Sequence, residues 1–181
     1  MKNYIFVLFG LILMLALFSG CANYVITQEL EAEFSDSPKA YVGEIRDALP
    51  LDTPTDKKPS LEDIEKFKNY LSDELLKKEF FTIATSATLK GMDYELTGAI
   101  IDYKKGSGFV RFLFGTFGGG QAKVTTLLEL KETRSGQIIF SGNFKGFVGS
   151  YGESGDKMFE RVAKDFAKAL RKRVEKQRKN Q

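Results

Sequence analysis

The chain has 181 residues, a formal charge of +3, 43% hydrophobic and 28% charged residues and four prolines, a length and composition that suit one globular domain and exclude a disordered or collagen-like chain. With no histidine and one cysteine, it has no means for Ser-His-Asp or Cys-His catalysis, for zinc sites built on His or for an intrachain disulfide. The bases Arg171, Lys172, Arg173, Lys176, Arg178 and Lys179 crowd the C-terminal end, opposed by Glu175, and read either as the solvated end of a surface helix or as an arm for an anionic surface.

Lys2 precedes an uncharged run, residues 4–18, followed by the small residues Ser19 and Gly20. A basic start, an apolar stretch and small residues at a cleavage point make an export signal. A run of about fifteen residues falls short of the roughly 20 needed to cross a bilayer, so a cleaved signal is predicted in place of a permanent helical anchor. Leu17-Phe18-Ser19-Gly20-Cys21 resembles the bacterial lipobox, with Phe18 where Leu is usual. The resemblance implies a diacylglyceryl group on the Cys21 thiol, cleavage after Gly20 and acylation of the new amine. No cofactor or metal is expected beyond that covalent lipid. Each buried CH₂ of acyl chain contributes about 0.8 kcal/mol, so two or three chains hold a protein on a bilayer. Ala22 stands where an Asp would retain such lipoproteins at the inner membrane, which implies the outer membrane, facing the periplasm, in a two-membrane cell. The expected organisation is a signal peptide (residues 1–20), a lipidated N-terminus and tether (21–38) and one domain (39–181).

Residues 39–49 (KAYVGEIRDAL) alternate with period 2 and predict the first strand. Residues 50–59 hold three of the four prolines and form a loop. Ser60 with Asp63 approximates a capping box, and Ile64, Phe67, Leu71 and Leu75 recur at helical spacing, which predicts a helix over about 61–79. Residues 80–86 (FFTIATS) suit a short second strand, and alternation resumes over 94–104. Residues 122–132 and 137–148 form a hairpin whose turn, Thr133-Arg134-Ser135-Gly136, ends on a glycine able to take positive φ. Ser154 or Asp156 caps a last helix with an apolar stripe of Phe159, Val162, Phe166, Ala169 and Leu170. The order β-α-β-β-β-β-α predicts an α+β fold, a two-layer sandwich of a mainly antiparallel sheet of about five strands with two helices on one face.

Residues 106–120 (GSGFVRFLFGTFGGG) are unlike an ordinary connection, which is polar and about four to six residues long. The phenylalanines may be read three ways: as core completed by glycine bulges, as an exposed patch for a protein partner, or as a loop that dips into the lipid interface. Phe109, Arg111, Phe112, Phe114 and Phe117 are the candidate contact residues. Arg111 stacks on these aromatics, pairs with a carboxylate such as Asp102, or reaches solvent. A phosphate loop is excluded because the stretch lacks the Gly-Lys-Ser/Thr that opens a helix. By the two-residue period Glu95 and Asp102 fall on opposite faces of their strand, so they form no acid/base pair.

Residues 39–173 resemble the DUF4410 family of small bacterial lipoproteins and periplasmic proteins. The resemblance lies in Leu96-Thr-Gly-Ala-Ile-Ile-Asp102, the glycine-rich stretch around Arg111, residues 122–131 and the turn Thr133-Arg134-Ser135-Gly136-Gln137-Ile138, in which Ser135 separates Thr133 from Gly136. It implies an envelope lipoprotein and supplies no catalytic residues. The function expected is therefore that of a noncatalytic, membrane-anchored envelope lipoprotein that binds a protein partner in envelope assembly, transport or maintenance. The alternative is a lipid- or small-ligand-binding periplasmic module, with Phe80, Phe81, Phe140 and Phe144 lining an apolar cavity. Without histidine, metal clusters or carboxylate pairs an enzyme is not expected. With an export signal, neither is a nucleic-acid partner.

Overall fold

Alternation decides which residues form the sheet. Val124, Thr126, Leu128 and Leu130 are fully buried on one side of their strand while Lys123, Leu127, Glu129 and Lys131 point to the other. In the computed structural model, which describes residues 23–30, 38–77, 81–85, 90–107, 120–149 and 153–179, such segments make strands β1 (Tyr24–Gln28), β2 (Lys39–Asp47), β3 (Ile83–Thr85), β4 (Tyr94–Lys104), β5 (Ala122–Glu132) and β6 (Ile138–Val148). The helices are α1 (Leu61–Lys77) and α2 (Lys157–Lys179), and a 3-10 turn, Thr55–Lys57, interrupts the proline-rich loop.

The α+β, two-layer expectation is met. The strands form one sheet in the order β1-β6-β5-β4-β2-β3. The pairs β1–β6, β6–β5 and β5–β4 are antiparallel, and β2 pairs parallel to both β3 and β4. One strand was not expected. Part of the segment read as a tether, Tyr24–Gln28, is an edge strand held to β6, with the Thr27 and Ser141 hydroxyls 2.7 Å apart.

Both helices cover the same face, α1 over β2 and β3, α2 over β6 and β5, and they touch each other. Ser60 and Asp63 close the predicted capping box: the Asp63 N–H donates to Ser60 Oγ at 3.1 Å and the Ser60 N–H to Asp63 Oδ2 at 3.0 Å. The stripe of α2 meets β6 through Phe166, whose ring lies 5.8 Å from Phe140 and 5.3 Å from Phe144. Phe67 of α1 packs 5.1 Å from Phe159 of α2. All five rings are fully buried, each contributing roughly 1.5–3 kcal/mol.

The register between β4 and β5 shifts between Ile100 and Asp102, leaving Ile101 as the extra residue. Glu95 lies opposite Lys131 and Asp102 opposite Thr125, residues of one parity on β5. Glu95 and Asp102 therefore share the face away from the helices, contrary to the period-2 expectation, because the bulge inverts the alternation. They still make no acid/base pair: six residues of β5 separate their partners, about 20 Å at about 3.4 Å per residue, far more than a paired-carboxylate mechanism spans.

α2 approaches β6 closely at Gly146, where a Cβ would run into the Met158 carbonyl oxygen of the first turn of the helix. Gly146→Ala is expected to cost about 3 kcal/mol, because a backbone atom cannot rotate out of the way. Gly149→Ala, where a Cβ meets only the Gln121 side chain at 3.2 Å, is expected to change little. Comparing the two Tm values with that of the native chain checks this.

Candidate functional site

The sequence candidates Cys21, Phe109, Arg111, Phe112, Phe114 and Phe117 all lie outside the described residues. The structure shows where their chain segments attach. Asn23 accepts a hydrogen bond from the Lys145 N–H at 2.7 Å, level with the upper part of β6. β1 then runs away from the end of the sheet where β6 finishes, so the chain enters the domain from that end. The Phe- and Gly-rich segment is rooted there too. The Ser107 N–H donates to the Gly120 carbonyl at 3.0 Å, and Gly106 and Gly120 both take positive φ, 73° and 71°. A Cβ at Gly106 would come within 2.7 Å of Gly120 O and Ala122 N, so this crossing requires glycine.

α1 is tied to that root. Tyr103, three residues before Gly106, donates its hydroxyl proton to Asp63 Oδ2 at 3.4 Å in the first turn of α1, and burial, then the Asp63 charge, push its phenol up to about 12. Asp102 pairs with Lys123 at 2.6 Å, so a described partner already holds the carboxylate considered for Arg111.

The space between the layers is filled where the alternative reading needs a cavity. Phe81 is 3% exposed and meets Tyr94 edge-on at 6.0 Å, and Phe140 and Phe144 are spent on Phe166. Phe80 lies outside the described residues. Among the described residues no three potential metal ligands cluster, and the buried carboxylate Glu74 is held by Lys77 at 3.1 Å.

Sequence reasoning did not single out the face of the sheet opposite the helices, whose alternating polar residues are those of any solvated strand face. There, Thr97, Gly98, Ala99 and Leu127 floor a depression of about 120 Å³ rimmed by Glu44, Arg46, Glu129 and Lys131. That volume is well under the ~300 Å³ and more of small-molecule sites. Two acids and two bases around an apolar floor match the anatomy of a protein contact, an apolar centre with a polar rim. The one ion pair formed within this rim, Lys131 to Glu129 at 3.6 Å, is half-exposed and worth at most about 1 kcal/mol, so a partner can exchange it at small cost.

No family model and no curated protein matches the chain, so the DUF4410 resemblance rests on the residues quoted for it. Solved structures do match, and the fold they share is that of a small α+β domain with one helix-covered sheet. The PelC dodecamer from Paraburkholderia phytofirmans is similar at 15% identity over 78% of this chain and 96% of that one, with a TM-score of 0.54. A variant of that dodecamer gives 14%, 80%, 97% and 0.51. A lipoprotein from Neisseria meningitidis is similar at 14% identity, covering 80% of this chain and 100% of that one, with a TM-score of 0.40. At these identities the likeness is one of fold.

Because the folded Tyr103 pKa lies above its ordinary value of 10.0, the native state keeps a proton that the unfolded chain releases between pH 10 and about 12. The stability this contributes is fully present below pH 10 and is lost as pH rises towards 12. Tyr103→Phe is expected to leave the Tm at pH 7 nearly unchanged, since a 3.4 Å bond is weak, and to flatten the decline between pH 10 and 12. Thermal melts across that range measure it.

Proposed function

We propose that this chain is a noncatalytic lipoprotein of the cell envelope, anchored through acylated Cys21, that binds a protein partner on the uncovered face of its sheet. Its role is in envelope assembly, transport or maintenance, on the periplasmic side of the outer membrane in a two-membrane cell. The observation that carries the reading is the apolar floor of Thr97, Ala99 and Leu127 inside the charged rim of Glu44, Arg46, Glu129 and Lys131. The four central strands offer roughly 19 Å by 35 Å at usual strand spacings, near the ~800 Å² per partner of an ordinary interface. Phe140 and Phe144 pack against Phe166 and so do not line the apolar cavity that the ligand-binding alternative needs. PelC, which shares the fold, is a dodecamer, and another copy of this chain is one protein able to cover the face.

Two experiments test this. Native protein labelled with a radioactive fatty acid is expected to carry the label and sediment with membranes, and Cys21→Ser to lose both properties. A photo-crosslinking residue at Glu129 in the intact cell is expected to give a discrete protein adduct, and the same residue at Asn69, exposed on the outer side of α1, none. Mass spectrometry then tells a second copy from a foreign protein. Adducts at both positions or at neither overturn the assignment of the face.

A further inference from the structure

The end of the domain at which β1 begins carries apolar side chains that nothing in the described fold covers. Leu51, in the loop after β2, is 99% exposed, and Leu61, the first residue of α1, is 83% exposed. Phe147, near the end of β6, is 44% exposed and carries the Arg161 guanidinium 5.5 Å from its ring centre. The topology brings them together. β2, β4 and β6 finish at this end, the loop after β2 is pinned there by Lys58 against Asp47 at 3.6 Å, and α1 starts there beside Tyr103. A surface loop and a first helical turn are ordinarily polar, and Leu51 and Leu61 are the two most exposed of the large apolar side chains described, ahead of Val25 at 65%.

The same end receives the anchor. Cys21 lies two residues before Asn23, and at no more than about 3.6 Å per residue it is within about 7 Å of it, whatever path the chain takes. A domain held that tightly to its acyl chains has no tether in which to turn away from the bilayer. The charged groups around Phe147 do not decide the contact: Arg161 is already paired with Glu153 at 3.0 Å and Lys164 with Glu160 at 2.6 Å, with Asp165 alongside. The C-terminal bases, Arg171 to Lys179, lie about 21–33 Å along α2 from its first residue, Lys157, more than twice the roughly 8 Å over which charge acts in physiological salt. Acids and bases alternate around the leucines, Asp52, Asp56 and Glu62 against Lys57, Lys104 and Lys105, so no single sign of charge dominates and Leu51, Leu61 and Phe147 are the apolar contacts this end offers.

We infer that this end is the membrane-contacting surface of the protein: Leu51, Leu61 and Phe147 seat in the boundary between headgroups and acyl chains of the bilayer that holds the lipid on Cys21. The inference rests on the reading of Cys21 as acylated, and it adds an orientation, with the strands pointing at the membrane.

The native chain contains no tryptophan, so a single one reports without background. Leu51→Trp, Leu61→Trp and, at the opposite end of α1, Leu76→Trp replace side chains that are already exposed. Each full-length lipidated variant is placed in vesicles of phosphatidylethanolamine and phosphatidylglycerol, with and without brominated acyl chains. Leu51→Trp and Leu61→Trp are expected to shift to shorter wavelength and lose most of their emission to the bromines, and Leu76→Trp to keep its own. Equal quenching at all three positions, or quenching at none, in a chain that carries the fatty-acid label overturns the inference. If the label is absent, the acylation reading fails by itself, and the unacylated variants added to the same vesicles decide: quenching confined to Leu51→Trp and Leu61→Trp upholds the membrane surface, and none overturns it.

Discussion

Much of this structure follows from how closely α2 lies on β6. Gly146 presents no side chain at the point where the Met158 carbonyl passes over the strand, and that closeness lets Phe159, Val162 and Phe166 reach the sheet and become fully buried. Phe166 wedges against Phe140 and Phe144, and Tyr24 of the edge strand stacks on Phe144 from the other side at 5.5 Å. One seam of aromatic contacts thus fixes the helix, the middle of the sheet and the first strand of the chain relative to one another. α1 completes the layer by packing Phe67 on Phe159. With both helices committed to one face, no described element covers the other.

That arrangement fills the space between sheet and helices with side chains, phenylalanines among them. Several of the described titratable groups are committed locally: Glu74 to Lys77, Asp102 to Lys123, and Asp156 to Tyr70 at 3.0 Å and to Ser154. Asp156 shows the effect, its carboxyl held below the usual range first by the Ser154 hydroxyl and then by Tyr70. A carboxylate satisfied in that way caps a helix and is poorly placed to take a proton from a substrate. The uncovered sheet face offers small apolar contacts and loosely paired charges, which suit another protein.

Most of the architecture was legible in the sequence because its signals are local. The capping box at Ser60, the stripes of α1 and α2, the alternation of β2, β4, β5 and β6, and the Gly136 turn, with φ of 70°, each depend on neighbours within a few residues. β1 was not legible. Its five residues sit beside an acidic stretch, and what makes them a strand is β6, which lies more than a hundred residues away. The bulge at Ile101 was invisible for a related reason: one extra residue on β4 is defined only against β5, yet it turns Asp102 to the face of Glu95. The helix-free face was legible as a pattern and carried no functional signal. Alternating polar residues look alike whether water or a partner covers them, and only the absence of a second layer distinguishes the two.

The two ends of the molecule then acquire different tasks. The chain enters beside β6 at the end where both helices begin, and it leaves at the far end, where Gln177 reaches back to the Leu30 carbonyl at 3.0 Å and the basic C-terminal turns of α2 project. In the proposed orientation the strands point at the bilayer, and the helix-free face of the sheet looks sideways along the membrane. A partner on that face is most easily another molecule anchored in the same leaflet, because confinement to one surface raises its effective concentration and removes part of the orientational cost of docking. The bases Arg171 to Lys179, about 21–33 Å away along α2, are too remote to help hold the domain down.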